Sequence, residues 1–596
     1  MPYPPIEAHG VIGDRRTAAL VAADGTLDWL CLPNYDGSPV FAALLDADRG
    51  GFCRLGPATP TLGHQRYEGD SMVLATTWEL DEAGIELTDA MTFPQAERAA
   101  GEQAQRVVLR RLRCTRGEIS CSLDVRPGDE FDAATATAAQ GGGAVLRVGE
   151  QTLRLWSTCT LTVDQEGARA SVRLRAGQEV WAVLSLGDVL TDWTAQLAEK
   201  ALDEAIEETR QWAGHVTWHG PREALVRRAS QVVHLLHYVP TGSLVAAPTT
   251  SLPERIGGDR NYDYRFAWVR DASLSLGILT VLGDVACAEA YLSWLSGLSS
   301  ATDAPLQVVY GVNGETDLTQ RERVDVAGYR GSLPVRFGNR AWNQRQLDSL
   351  GYLADCAWIY LDRGGTWHED AWRLIRGAAE YTAANWQRPD SGIWELPETA
   401  HYVSSKVMSW VTLERSVRIA ERTGHPNETA SWRAAMDLIR AQVMDRGWNA
   451  RRGAFVQRYD SEALDASALL IPIMGFLPGD HPRVLATLDR IAETLTIDGF
   501  VHRFLAGQTP GHGDLPLGEL EGAFLPCTFW LVTAYAMAGR REAAEVTMAR
   551  AEALAGGLGL FAEEVDARSR TFRGNTPVLF SQMEYVRAAL QLARSP

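Results

Sequence analysis

The sequence predicts a two-domain β-plus-α protein. An antiparallel β-sandwich covers residues 1–215, with a linker helix at its end, and an (α/α)6 barrel covers 216–596. Three observations predict it. Hydrophobic periodicity changes from two to about 3.6 residues near position 215. About twelve helical segments follow the change. Their connections alternate long and short, which in an antiparallel up-down array puts every long loop at one end.

Taken in order, the alternating runs Val107–Val125, Leu153–Val163 and Ala170–Leu184 read as half-buried strands punctuated by Gly, Asp and Pro. Many short strands of this kind suggest a sandwich. The Ala- and Gly-rich stretch Ala133–Gly143 reads as a mobile loop tip, and Leu190–Trp212 as the bridging helix. Helical segments then fall near 221–239, 270–282, 284–299, 341–361, 368–386, 403–423, 426–444, 464–474, 480–496, 522–538, 540–556 and 577–594. Short links sit at Gly283, Gly424–His425, Gly475–Gly479 and Gly539. Long links cover 240–269, 300–340, 387–402, 445–463, 497–521 and 557–576. Helix hairpins in this pattern suggest two concentric rings, with the long-loop end as the functional face, because sites sit on loops held by a rigid scaffold. An open helical solenoid would need a fixed-period repeat, which the sequence lacks.

Composition narrows the function. Hydrophobic residues are 46% and charged residues 22% of 596, as in a packed globular chain rather than a disordered one. With 57 Lys+Arg against 75 Asp+Glu the formal charge is −18, which disfavours nucleic acid and anionic membrane as partners. The sequence has no apolar run long enough to span a bilayer. Its start, MPYPPIEAHGVIGDRRTAALV, lacks the basic region and apolar core of a secretory signal. The cysteines Cys31, Cys53, Cys114, Cys121, Cys159, Cys287, Cys356 and Cys527 form no C-x-x-C pair and no metal-ligand cluster with the histidines. Scattered thiols fit a reducing cytoplasm.

The long loops concentrate aromatics and acids. GDRNYDYRFAWVRDAS carries Tyr262, Tyr264, Phe266 and Trp268; SGIWELPE carries Trp394 and Glu395; GLFAEEVD carries Glu563 and Glu564. Flat rings cover the C–H faces of a sugar while acids bond its hydroxyls. Two carboxyl groups on opposite sides of a glycosidic bond are the minimum for hydrolysing it: one protonates the leaving oxygen, the other activates water or attacks. Enclosure beside Trp394 would raise the pKa of Glu395, as an acid requires. Plainer readings stand beside these. A lone Trp packs a core, Glu395, Glu563 and Glu564 are solvated loop acids, Asp271 caps a helix beginning near Ala272, and Glu521 favours the start of the helix after it. Spacing does not choose among Glu398, Glu519, Glu521 and Asp566.

Six segments in order resemble glycoside hydrolase family 15, the glucoamylase, glucodextranase and bacterial trehalase group. They are IEAHGVIGDRRTAALVAADGTLDWLCLP, RNYDYRFAWVRDASLSL, GYRGSLPVRFGN, SGIWELPE with SSKVMSWVTLERSVRIAE, EGAFLPCTFWLV, and GLFAEEVD with GNTPVLFS. The resemblance implies a sandwich joined to an (α/α)6 barrel, and it implies roles. Glu395 matches the family's general acid and Glu563 its general base. Arg270 and Asp271 match the pair that binds the terminal glucose, and Tyr264 a tyrosine near the catalytic water. Trp268 and Trp394 would wall the glucose site, and Arg330 would lie near the entrance or leaving-group site. Members invert, so the carboxyl groups should stand roughly 6.5–9.5 Å apart. The chain departs from many relatives at Gln582, where they carry histidine, and in LPETAHYVSS, which should shape the leaving-group site.

The resulting expectation is a cytoplasmic, inverting, exo-acting α-glucoside hydrolase. Its substrate is a small carbohydrate, α,α-trehalose first, with maltose, isomaltose or short maltodextrins as the alternative. No cofactor or metal is required by that chemistry, and the only macromolecular partner expected is at most a second copy of the chain. A glycoside phosphorylase would replace the base with a phosphate nest, against which Glu563 argues. A non-catalytic sugar-binding protein is the remaining alternative, since fold alone does not establish activity.

Overall fold

Residues 3–93, 106–139, 143–186, 192–301, 306–509 and 512–595 are described by the computed structural model. Alternation places the early strands. In Glu118–Arg126, Cys121, Leu123 and Val125 are buried while the residues between them are half-buried, so one face points to a core. One eight-stranded sheet runs His9–Gly13, Ala18–Ala22, Thr26–Leu32, Phe52–Pro57, Glu118–Arg126, Ala168–Arg175, Thr162–Val163, with Ser38–Phe41 added on Thr26–Leu32. The other runs Thr135–Ala138, Ala144–Val148, Gln151–Ser157, Glu179–Leu186, Arg106–Arg116, Gly84–Met91, Leu74–Glu79, His64–Tyr67. Neighbouring strands are antiparallel, with Glu118 opposite Arg175 and Glu179 opposite Arg113, for example.

Two expectations change here. Each of the runs Val107–Val125, Leu153–Val163 and Ala170–Leu184 is two strands in different sheets, and in the first the chain changes sheet at Gly117. That residue has φ +71° and a Cβ on it would lie 1.9 Å from the Glu82 carbonyl oxygen, so only glycine turns there. The Ala133–Gly143 stretch is not simply a loop tip. Thr135–Ala138 pairs with Ala144–Val148 as the sheet's edge, which the small side chains concealed; residues 140–142 lie outside the described ones.

Thirteen α-helices follow among the described residues: α1 Ala195–Gly214, α2 Glu223–Leu236, α3 Val269–Val281, α4 Ala286–Ala301, α5 Asp348–Asp362, α6 Glu369–Asn385, α7 Val403–Thr423, α8 Ala430–Arg446, α9 Leu470–Ile473, α10 Pro482–Thr494, α11 Leu525–Met537, α12 Arg541–Glu552 and α13 Leu579–Arg594. Helix α1 is the expected bridge, capped by Thr194, whose hydroxyl accepts from the Leu197 N–H at 3.2 Å. The predicted segment 341–361 begins helical only at Asp348, after a 3-10 turn over Arg340–Asn343 capped by Asn339. The segment 464–474 is a 3-10 turn, Ala466–Leu469, followed by the four residues of α9.

Burial sorts the helices into two layers. From Val269 to Thr280 every residue of α3 is buried, whereas α10 buries only Val484, Thr487, Leu488 and Ile491, a single stripe. Accordingly α3 packs on α5, α5 on α7, α7 on α9, α9 on α11, α11 on α13, and α13 back on α3, closing an inner ring. Helices α2, α4, α6, α8, α10 and α12 lie against it from outside. The chain thus has the predicted antiparallel β-sandwich and (α/α)6 barrel. None of the described helices is long and apolar enough to cross a membrane.

The long loops share the barrel end where the inner helices begin, and they carry short hairpins absent from the sequence reading. These include Thr250–Pro253 with Asn261–Asp263, Arg321–Arg323 with Val335–Phe337, and Ala523–Phe524 with Glu564–Asp566 and Thr571–Arg573. The sandwich grips the first long loop and the end of α2 before it. Trp29 Nε1 donates to Pro248 O at 2.8 Å, Arg265 Nη1 to Gly37 O at 2.7 Å, and the Tyr35 hydroxyl to Leu235 O.

Candidate active site

Strand Ala267–Trp268 pairs with Val309–Tyr310 and runs straight into α3, so Trp268, Arg270 and Asp271 arrive together at a helix N-terminus. Asp271 does not cap a helix starting near Ala272: α3 begins at Val269, and Asp271 sits in its first turn, where the helix dipole favours an anion. Its Oδ1 accepts from Arg270 Nε at 2.9 Å. Arg270 also donates to Ile393 O at 3.0 Å and to Gln346 Oε1 at 3.3 Å, which fixes the guanidinium plane.

Glu395 lies in the loop between α6 and α7 with φ +57°, a left-handed conformation that costs a non-glycine residue and marks sites where geometry matters more than local comfort. Its N–H donates to Gly392 O at 3.2 Å and its carbonyl accepts from Gln344 Nε2 at 3.1 Å. The carboxyl Oε1 accepts from Trp268 Nε1 at 2.8 Å and stands 3.5 Å from Arg270 Nη2. A quarter of the side chain is open to the cavity. Burial of the rest raises its pKa, while Arg270 pulls the other way. The enclosing ring is chiefly that of Trp268; Trp394 turns its indole N–H away, to both oxygens of Asp465 at 2.9 Å.

Glu563 stands at the start of Glu564–Asp566 and is 1% exposed. Its N–H donates to Asn575 O at 3.0 Å, and its Oε2 accepts from the Asn575 N–H at 3.1 Å. Its Oε1 accepts from the Tyr264 hydroxyl. Gly574 makes this close approach possible. With φ +71°, it leaves space where a Cβ would lie 2.3 Å from Glu563 Oε2. Burial, reinforced by the charge of Glu254, pushes the Glu563 carboxyl up to about 8, against the lowering pull of the Tyr264 and Asn575 hydrogen bonds.

Tyr264, Trp268, Arg270, Asp271, Trp394 and Glu395 line one cavity of about 440 Å³, within the size range of small-ligand sites. Glu563 is not in that lining; it stands behind Tyr264. The Tyr264 and Trp268 rings, 5.6 Å apart between centroids, form a two-ring wall with Glu563 hydrogen-bonded at one end and Glu395 at the other. Arg330 is not brought to the site. Its guanidinium donates to Tyr3 O at 3.0 Å and lies over Tyr329, because the GYRGS turn packs on the N-terminal segment.

Among the other acids, Glu398 and Glu519 are exposed, while Glu521 is buried against Arg503 and Arg260 rather than serving a helix start. Gln582 is buried in α13 and makes no hydrogen bond to Glu563. In the LPETAHYVSS stretch, Leu396 and Pro397 line the cavity and Ala400 bridges back to Asp390. Sequence reasoning missed Gln344, Asn575, Glu254, Arg260 and Arg503. Asn575 lay within the quoted GNTPVLFS segment, and its burial with bonds to Thr249 and Tyr262 is visible only in the fold.

The fold also assembles two groups of potential metal ligands that linear spacing hid: His215, His234 and Asp284, and Glu254, Glu521 and Glu564. In the second, Arg503 and Arg260 supply positive charge. In the first, Asp284 meets His215 at 3.0 Å and His234 at 2.9 Å.

Comparison with known proteins adds the following. The sequence model of glycosyl hydrolases family 15 matches residues 220–590, and that of a trehalase-like N-terminal domain matches residues 2–210. A protein named trehalase from Mycolicibacterium smegmatis is 35% identical over 621 residues, covering 100% of this chain and 92% of that one. Another trehalase, from Thermoplasma volcanium, is 31% identical, covering 99% and 94%. The solved structure of a bacterial glucoamylase complexed with acarbose superposes with a TM-score of 0.71 at 12% identity, covering 99% of this chain and 94% of that one, a likeness of fold.

Proposed function

We propose the reaction from one premise: the chain belongs to glycosyl hydrolase family 15. It is a glycoside hydrolase, and the substrate we assign to it is α,α-trehalose. The observation that carries the substrate is the likeness to trehalases along essentially the whole chain, sandwich included.

In this reading one glucose occupies the cavity with its hydroxyls on Arg270 and Asp271 and a C–H face toward Trp268. Preorganised contacts of this kind hold the reacting bond in place and can supply a large part of the rate. Glu395 is the general acid. Its raised pKa keeps a proton available, and it gives that proton to the oxygen of the departing glucose. Glu563 is the general base. In its ionised form it draws a proton from a water that attacks the anomeric carbon from the opposite face, and Tyr264 orients both the carboxylate and that water. A single displacement inverts the anomeric centre. Water is the sole co-reactant, so the proposal includes no cofactor. The eight free cysteines support a reducing, cytoplasmic setting.

Glucose release from trehalose, maltose, isomaltose and maltooligosaccharides tests the substrate. We expect kcat/KM to be highest on trehalose. Activity on maltose or isomaltose with none on trehalose would replace it with a glucoamylase-type substrate.

A further inference from the structure

The end of the bridging helix α1, the outer helix α2 and the short α3–α4 turn meet at one point, and each brings a possible metal ligand to it. His215 is the C-cap residue of α1, His234 lies in the last turn of α2, and Asp284 follows Gly283 in the turn. The turn is held against the bridge by Thr217, whose N–H and hydroxyl both donate to Leu282 O, at 2.8 and 2.7 Å. Glycine suits position 283, where φ is +113° and a Cβ would lie 2.7 Å from Thr217 Cγ2.

Asp284 divides its oxygens. Oδ1 accepts from the Ala286 N–H at 3.0 Å, at the start of α4. Oδ2 stands 3.0 Å from His215 Nδ1 and 2.9 Å from His234 Nε2, and no two of these three atoms are more than 4.8 Å apart. The His215 contact is aligned as a hydrogen bond. The His234 contact is not: His234 is 2% exposed, yet its Nε2 has no hydrogen-bond partner. A buried ring nitrogen that stands beside a carboxylate oxygen without bonding it has the arrangement of two ligands directed at one ion.

We propose that His215 Nδ1, His234 Nε2 and Asp284 Oδ2 bind one Zn2+, which ties the bridging helix to the barrel. Two imidazoles and a carboxylate suit this borderline cation, whereas calcium and magnesium take oxygen ligands. Zinc bonds of about 2.0–2.1 Å at a tetrahedral angle need ligand atoms about 3.3 Å apart, so the two close pairs must open by a few tenths of an ångström. His215 can supply that movement, since its side chain is 53% exposed at a helix end. The same exposure gives the ion its entry path and leaves its fourth position to water. The other ring nitrogen of His234, Nδ1, lies 3.7 Å from Cys287 Sγ, a contact that holds the imidazole in place. The neighbouring cation Arg15 bonds His237 Nδ1 at 2.7 Å and lies over the Trp212 ring, so it takes no ligand position. None of the three ligands lines the sugar cavity, and the ion therefore braces the fold without entering the reaction.

The test is titration of untagged, chelator-stripped full-length protein with Zn2+ against a chromophoric competing chelator, with thermal melting by circular dichroism in parallel. Wild type should take up one equivalent at micromolar Zn2+, and saturation should raise Tm by a few degrees. His215→Ala removes a half-exposed side chain and should fold. It should bind Zn2+ about 100-fold more weakly or worse, and its Tm should no longer respond to the ion. Asp284→Asn, with folding checked by the same spectra, should lose the equivalent as well. A wild type that takes up no Zn2+ would overturn the proposal. So would uptake unchanged in a folded His215→Ala or Asp284→Asn, which would place the ion elsewhere, the Glu254, Glu521 and Glu564 group included.

Discussion

Glu395 and Glu563 come from loops far apart in the chain, yet one Tyr–Trp wall joins them, and each is held by contacts that suit one step. Trp268 and Arg270 hold Glu395 at the cavity; Tyr264 and Asn575 hold Glu563 behind it. Glu395→Gln and Glu563→Gln should each lower kcat by about 10²–10⁴-fold, with thermal melting by circular dichroism unchanged. Tyr264→Phe removes a hydrogen bond that lowers the Glu563 pKa. That pKa then rises, the base is protonated to higher pH, and the acid limb of kcat/KM should move up. At this scale the sequence reached the residues whose type states their chemistry: Glu395, Trp268, Arg270, Asp271, Trp394 and Tyr264 share the cavity. It could not reach Arg503 or Glu254, which meet across 249 positions through folding alone. It misplaced Arg330, because a turn that packs on the N-terminal segment looks the same in sequence as one that lines a site.

Among the elements, loops carry the precision and helices supply the frame. The turn containing Gly574 presses its backbone against the Glu563 carboxyl. Gly574→Ala should cost about 1–2 kcal/mol from the left-handed backbone. It should also displace Glu563, so kcat should fall more than ten-fold, an amount greater than the loss of folded protein explains. Denaturant melts run alongside initial rates separate the two effects. Long and short links were legible because glycine-bearing short turns interrupt a 3.6-residue periodicity that is otherwise strong. The hairpins within the long loops were not legible, since strands of two to four residues leave too little alternation to read. The sheet change at Gly117 was hidden for a related reason: both strands alternate in the same way, and only the Glu82 carbonyl, 1.9 Å from where a Cβ would sit on Gly117, explains the need for glycine at the turn.

For the molecule as a whole, the sandwich braces the first long loop. The Trp29 indole, fully buried, donates to Pro248 O four residues after Leu244 and ahead of the Tyr264–Asp271 segment. Trp29→Phe leaves that carbonyl unpaired and should destabilise the protein by about 1–3 kcal/mol, read as a lower denaturant midpoint. The two-layer architecture was visible in the sequence because it follows from periodicity and link length. The way the sandwich seats on the barrel was not, because side chains on both partners make that interface. The central claim is that two carboxyl groups act together at one cavity, Glu395 giving a proton from its lining and Glu563, behind Tyr264, taking one from water. Proton NMR of the first glucose released from α,α-trehalose tests it most directly. Inversion gives one β-glucose from the attacked ring and one α-glucose from the leaving ring, so the two anomers should appear in equal amounts before mutarotation; release of α-glucose alone would contradict the account.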